Sequence, residues 1–534
     1  MSEKIETVDA VIVGAGFAGL YAIKRLRDAG FNVQAFEAGD GIGGTWYWNH
    51  YPGARVDLEC WDYSYSFSQE LQDEWDWTEK YPTAQELMRY LSYVAKKFKL
   101  IDHIQFNTHV KAASFLEIEN LWLITTSDGK RTKCRFFVPA TGVLSSPKSP
   151  EILGIDTFKG ESFHTGRWPR VEPSFSGKRI GVIGTGSSGV QTIQALAGHC
   201  NHLTVFQRTA VFVVPAKNHL LTPEMRQRVR ATYTERRNLS RMTRFGIPAA
   251  MPSDSALDAT PEERQAKYQN AWINSQLLGF RQCYGDILSN ISANDTVADF
   301  IRGKIVEIVE DKATAKKLSP YGFPFGTKRP CLGDTYYSVF NRKDVNLVDL
   351  KVNPIQSIVP EGILTAEGLV ELDMLIYATG YDALTGALTK IDIQGLSGQK
   401  LTDKWSNGAR AYLGLVVSDF PNMFTVTGPG SPGPLANMSM SIEQHINWIS
   451  ACIEYLHGNN IARIDASKEH EERWMSHVQE AVQKTLYEKA NSWYRGANVP
   501  GKPQIFVPYL GGFGNYKQKC EDVARAGYEG FILT

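Results

Sequence analysis

Gly14-Ala15-Gly16-Phe17-Ala18-Gly19 follows the apolar run Ala10-Val11-Ile12-Val13, and Gly184-Thr185-Gly186-Ser187-Ser188-Gly189 follows Ile180-Gly181-Val182-Ile183. Each is a GxGxxG turn between an apolar strand and a helix start, the arrangement that brings backbone N–H groups and a helix N-terminus against a pyrophosphate. The strand after the first turn, 31–36, ends at Glu37, and the strand after the second, 203–206, ends at Gln207-Arg208. Glu37 lies 18 residues beyond Gly19 and Arg208 lies 19 beyond Gly189, close to the spacing of about 20 at which an acid meets a ribose diol or an arginine meets a 2′-phosphate. The chain therefore reads as α/β, with two Rossmann-like dinucleotide-binding domains, one for a plain dinucleotide and one for a phosphorylated one.

Bulk properties narrow the classes further. The 534 residues carry 57 Lys plus Arg against 57 Asp plus Glu, so neither nucleic acid nor an acidic membrane is an expected partner. Cys60, Cys134, Cys200, Cys283, Cys331, Cys452 and Cys520 are scattered and never spaced CxxC. They read as reduced thiols of a cytoplasmic protein, and the missing close pair argues against a dithiol reductase. The first residues show no basic leader or long apolar span, so neither export nor membrane insertion is expected. Histidine–acid spacings for a metal and a GxSxG elbow are absent, which leaves no metal site and no hydrolase.

The strand endings Val138-Pro139-Ala140-Thr141-Gly142 and Tyr377-Ala378-Thr379-Gly380 bracket the second fingerprint. That bracket predicts that the second nucleotide domain is inserted into the first. Between 220 and 318 the chain turns charged and helical, with Thr222-Pro223-Glu224 and Thr260-Pro261-Glu262-Glu263 as helix starts. The expected division is 1–145 and 383–534 for the first nucleotide domain, 146–218 and 326–382 for the second, and 219–325 for a helical insertion. Helices are further expected over 83–97, 441–456 and 468–488, and short strands over 106–142.

The string Phe158-Lys159-Gly160-Glu161-Ser162-Phe163-His164-Thr165-Gly166-Arg167-Trp168-Pro169 lies just before the second fingerprint. By residue type it is an aromatic interdomain linker with one histidine. FxGxxxHTxxWP between two GxGxxG turns resembles the signature of single-chain Baeyer–Villiger monooxygenases. The resemblance extends over the chain through Gly43-Gly44-Thr45-Trp46-Tyr47-Trp48, Tyr51-Pro52-Gly53-Ala54-Arg55-Val56-Asp57, Gly326-Thr327-Lys328-Arg329-Pro330, Gly428-Pro429-Gly430-Ser431-Pro432 and Trp493-Tyr494. It is strongest to the phenylacetone and steroid group. Cys331-Leu332-Gly333-Asp334 departs from the pattern and places a thiol and an acid near the expected substrate mouth.

The resemblance implies FAD on the first fingerprint and NADPH on the second. NADPH reduces the flavin, O2 adds at its C4a carbon, and the deprotonated peroxide attacks an apolar ketone to give an ester or lactone. Arg329 would hold that negative charge, being cationic at any working pH, and Asp57 would orient it. Gly14, Gly16, Gly19, Glu37, Gly44, Thr45, Trp46, Asp57 and Val110 are expected at FAD. Gly184, Gly186, Ser187, Ser188, Gly189, Arg208, Thr209, Lys328 and Trp493 are expected at NADPH. Leu435 and Met438 are expected at the substrate, while His164 and Trp168 are expected to couple the domains rather than transfer protons. No obligate protein partner is implied. Two rivals remain: a flavin monooxygenase that oxygenates nitrogen or sulfur, and a non-oxygenating flavoprotein that serves as a redox or partner-binding module.

Overall fold

A computed structural model describes residues 5–274 and 278–534. The strand Glu6–Val13 owes its nearly unbroken apolar run to burial on both faces. Val8 and Val11 enter one core cluster, while Ala10 and Ile12 enter the other. Parallel neighbours Val33–Phe36 and Arg131–Val138 flank it, which is the usual setting of a doubly covered strand. The full sheet has seven strands in the order Asp392–Gln394, Val110–Leu116, Leu121–Thr126, Arg131–Val138, Glu6–Val13, Val33–Phe36 and Ile104–Gln105. Strands 110–138 form an antiparallel meander.

The second sheet is wholly parallel, in the order Val345–Asp349, His202–Gln207, Arg179–Ile183, Met374–Tyr377 and Glu161–His164. Its last member lies inside the string read from sequence as a linker. Residues 161–164 are instead an edge strand, with Phe163 paired to Ile376 and His164 to Tyr377. Alternation over four residues with one histidine and one glutamate is too weak a period to announce a strand.

Helices fill most of 223–318, at Pro223–Ala231, Tyr233–Ser240, Pro261–Ile273, Ile291–Ile308 and Lys312–Leu318. The Thr222 and Thr260 hydroxyls cap the first and third, and Glu263 completes a capping box with Thr260. Helix Ala84–Lys97 starts behind the Thr83 cap, and helix Met438–Gly458 starts three residues before the expected 441. The expected helix over 468–488 breaks into Lys468–Gln483 and a short 3-10 turn at Leu486–Lys489.

Candidate active site

The two fingerprints share one construction. Gly14 and Gly184 adopt φ of +108° and +110°, a left-handed region that side chains avoid. A Cβ on Gly14 would lie 2.7 Å from the Ala140 carbonyl oxygen, and one on Gly184 would lie 2.5 Å from that of Ala378. Thus each repeated Ala-Thr-Gly exit packs against the first glycine of its own fingerprint. At the third glycine a Cβ would run into the carbonyl oxygen of the first, at 1.9 Å for Gly19 and 2.1 Å for Gly189. Both helices, Phe17–Asp28 and Ser187–Leu196, begin at a glycine with no side-chain cap. The helices starting at Ala84, Pro223, Pro261, Ile291 and Lys468 are all capped by the preceding Ser, Thr or Asn. Free N–H groups at two glycine cradles suit two pyrophosphates, so the residues present fit both dinucleotides.

At the first cradle, a Cβ on Gly44 would stand 2.8 Å from the Gly16 Cα, which brings the turn of Thr45 and Trp46 onto the fingerprint. Glu37 is buried, and its carboxylate accepts the Ala15 N–H at 2.7 Å and the Gly39 N–H at 2.8 Å. Burial pushes its pKa up, against those two bonds. Each carboxylate oxygen keeps a lone pair for a ribose hydroxyl while holding the loop in place. Val110 starts the strand that follows Thr108, whose N–H donates to the Glu37 carbonyl, so it flanks the same end.

At the second cradle, a Cβ on Gly186 would meet nothing within 4 Å. The Thr185 hydroxyl donates to the Thr209 carbonyl at 2.9 Å, which fixes the segment after Arg208. Arg208 is exposed, and the half-buried Lys328 rests its ammonium 4.6 Å from the Phe323 ring centroid. Burial lowers the Lys328 pKa, and the charges of Arg208 and Lys351 lower it further. Lys351 had no motif to announce it. Parallel strands His202–Gln207 and Val345–Asp349 run in register, and the Leu350 N–H donates to the Gln207 carbonyl at 2.8 Å, so Lys351 leaves the sheet beside Arg208. Among the described residues no carboxylate lies in ion-pair range of these three cations, and such a gathering suits a phosphate.

Between the cradles, Arg329 and Asp57 meet across 272 residues of chain. Arg329 Nε donates to Asp57 Oδ2 at 2.6 Å, Nη2 to Oδ1 at 2.7 Å, and Nη1 to the Pro434 carbonyl at 3.0 Å. Burial works against the guanidinium charge, but Asp57 and the Tyr494 hydroxyl outweigh it and hold the pKa above the usual arginine value. Both side chains stay one-quarter exposed, so the pair is reachable. Leu435 follows Pro434 and packs with Tyr494, whereas Met438 lies at the start of helix Met438–Gly458. A cavity of about 90 Å³ borders Asp57, lined by the apolar Leu58, Ile247, Pro248, Ala249 and Leu278 together with Glu59, Asp62, Tyr81 and Arg236. Leu58 follows the Tyr51–Asp57 motif, whereas 247–249 and 278 come from segments without one. Of the departure at 331–334, Cys331 is buried with Sγ 3.6 Å from the Ser187 hydroxyl. Asp334 instead accepts the N–H groups of Lys217 and Asn218, so it caps a turn.

His164 uses both ring nitrogens. Nδ1 accepts the Gly166 N–H at 2.9 Å, and Nε2 lies 3.2 Å from the Thr379 hydroxyl, which itself donates to the Lys148 carbonyl at 2.7 Å. A backbone N–H can only donate, so the tautomer is Nε2–H. Burial lowers its pKa. Trp168 is buried beside Phe163, at 5.3 Å between ring centroids, and its backbone N–H reaches the Trp48 carbonyl at 3.4 Å. The Arg167 guanidinium stacks 4.4 Å from the Trp48 ring centroid, so the string 163–168 grips the first nucleotide unit. Trp493 is half-buried and lies 4.3 Å from the Tyr494 ring, with Tyr381 and Leu384 in the same apolar group.

A family description of flavin-binding monooxygenase-like proteins matches residues 8–241. Cyclohexanone 1,2-monooxygenase from an Acinetobacter species is 43% identical, covering 100% of this chain and 98% of its own. Phenazine N-monooxygenase from Lysobacter antibioticus is 39% identical over 98% of this chain and 97% of its own. Among solved structures, an oxidised steroid monooxygenase bound to NADP superposes with a TM-score of 0.95 at 44% identity, covering 99% of both chains. The steroid and cyclohexanone enzymes thus stand level in identity.

Proposed function

Since this chain belongs to the Baeyer–Villiger monooxygenases, within the flavin-binding monooxygenase-like proteins, we propose that its Asp57–Arg329 pair carries the charge that oxygen insertion develops. The enzyme uses FAD, NADPH and O2 to convert ketones to esters or lactones. Bound flavin supplies the electrons drawn from NADPH and the centre at which O2 is activated. The protein's part is to bind, orient and neutralise.

The observation that carries this reading is the bidentate clamp on Arg329. Of its five N–H groups, two go to Asp57 and one to the Pro434 carbonyl. Two remain for the neighbouring Tyr494 hydroxyl and for an oxyanion. A guanidinium held in plane by three bonds spends no reorganisation energy when charge appears, and a lost donor of this kind costs about 10²–10³ in rate. The apolar residues 58, 247–249 and 278 beside Asp57, and Leu435 beside the Tyr494 cluster, favour a ketone with an apolar body. Met438 is a second candidate lining residue.

Glu37, Gly44, Thr45, Trp46 and Val110 hold FAD beside the first fingerprint. Arg208, Thr209 and Lys328 hold the 2′-phosphate of NADPH, and Trp493 closes over the cofactor. His164, with both nitrogens engaged, couples the segments 148 and 379 to the edge strand together with Trp168. The division at 145, 218, 325 and 382 accounts for which strands enter which sheet. Among the described residues no helix is long and apolar enough to cross a membrane, and no cysteine is paired. A cytoplasmic enzyme without nucleic-acid, membrane or obligate protein partners is the reading we adopt.

Arg329→Ala tests it. NADPH should still bleach the flavin while ester formation falls by at least about 10²-fold. Ester produced at the wild-type rate would remove the assigned role. The phenazine relative favours one second reading, nitrogen oxygenation. A panel of ketones, sulfides and aromatic amines with NADPH and O2 separates the two, and N-oxide without any ester would establish the second.

A further inference from the structure

We propose that helix Ser187–Leu196, whose first turn is the NADPH fingerprint, also positions the Asp57–Arg329 pair through two glutamines. Gln191 and Gln194 stand three residues apart and therefore share one helix face. Gln191 Oε1 accepts the Tyr51 hydroxyl at 2.8 Å, and its Nε2 donates to the Arg55 carbonyl at 3.0 Å. One side chain thus ties both ends of the loop that runs into Asp57. A Cβ on Gly53 would lie 2.6 Å from the Gln191 carbonyl oxygen, so the loop rests directly on the helix backbone.

Gln194 serves the other arm. Its Oε1 accepts the Thr335 N–H at 3.0 Å, while a Cβ on Gly333 would lie 2.8 Å from its Nε2. Those residues follow Arg329 by way of the short strand Cys331–Leu332. Ser187, the first residue of the helix, meets Cys331 as well. The element that receives the pyrophosphate therefore touches the chain on each side of the ion pair, while the glutamines' hydrogen bonds go to other residues than the pair itself. Gln191 and Gln194 are positioning residues: they transmit the seating of the nicotinamide dinucleotide to the guanidinium plane. This inference rests on the role proposed above for Arg329.

The test uses the FAD holoenzyme with the ketone that the wild type converts best. Gln191→Met keeps side-chain length and removes both bonds, Tyr51→Phe removes one, and Gln194→Met acts on the other arm. Ester formed per NADPH consumed should fall about fivefold, the scale of one lost hydrogen bond. The missing turnover should appear as H2O2, because NADPH, a proton and O2 then leave as NADP⁺ and H2O2. Flavin bleaching by NADPH and the NADP⁺ Kd should stay within about twofold, which a merely structural defect would not allow. Wild-type coupling in Gln191→Met and Tyr51→Phe overturns the inference, as does a proportionate loss of coupling, bleaching and NADP⁺ affinity. If Gln191→Met does not accumulate as holoenzyme, Tyr51→Phe and Gln194→Met decide by the same criteria. Ester from Arg329→Ala would sink the underlying reading, whereas inactive Arg329→Ala beside a fully coupled Gln191→Met sinks only this one.

Discussion

Arg208, Lys328 and Lys351 form a cationic group with no carboxylate among the described residues to neutralise it, and its worth lies in what it attracts. Bonds between ionised groups contribute about 1.5–3 kcal/mol each, so one lost cation weakens the phosphorylated cofactor alone. Arg208→Ala should raise the KM for NADPH about tenfold or more and leave that for NADH unchanged. Lys351→Ala should do the same, because Lys351 leaves the sheet beside Arg208. Steady-state kinetics with both nucleotides checks each substitution. An equal rise for NADH would make the arginine a structural group. Arg208 was legible from its distance to the glycines. Lys351 was not, because only the pairing of strand 345–349 with strand 202–207 brings it there.

Helix Ser187–Leu196 and strand Glu161–His164 show what elements add. Gly189→Ala would force a Cβ to 2.1 Å from the Gly184 carbonyl oxygen, which backbone cannot yield without opening the turn. That variant should keep FAD yet lose NADP⁺ binding, measurable as an unperturbed flavin spectrum on titration with NADP⁺. The edge strand 161–164 fits the coupling role proposed for His164. Its register against Tyr377 sets the ring beside Thr379, the exit from the second sheet. A linker reading of that string missed the strand, since four residues carry too little period. Both ring nitrogens of the histidine are engaged.

At the scale of the whole molecule, the return of the chain to the first unit buries charge as well as apolar surface. Asp465 is 7% exposed, accepts one N–H from Asp419 at 3.2 Å, and leaves Oδ1 without a partner. Burial, with the charge of Asp419, pushes its pKa up from 3.8 to about 7. A carboxyl whose folded pKa exceeds its unfolded value stabilises fully below the unfolded value and loses that contribution as pH rises through the folded one. Melting temperature should therefore decline from pH 4 toward pH 7 through this group, and Asp465→Asn should flatten that part of the profile. Thermal denaturation at stepped pH measures it, and an unchanged slope would disprove it.

What the sequence by itself determined about this protein is local. Glycine spacing, the polar residue at the next strand end, threonine caps and the string 158–169 each act within a turn or one βαβ unit, where covalent geometry ties position to conformation. Those features sufficed for two nucleotide units and for a family resemblance. Only the tertiary structure decided which distant residues share a site. Asp57 reaches Arg329 where helix 187–196 meets both of the segments that carry them. The apolar residues 247–249 and 278 beside Asp57 and the cation at 351 come from segments that carry no motif. Such contacts depend on sheet order and on loops closed over hundreds of residues, and no short-range pattern encodes them.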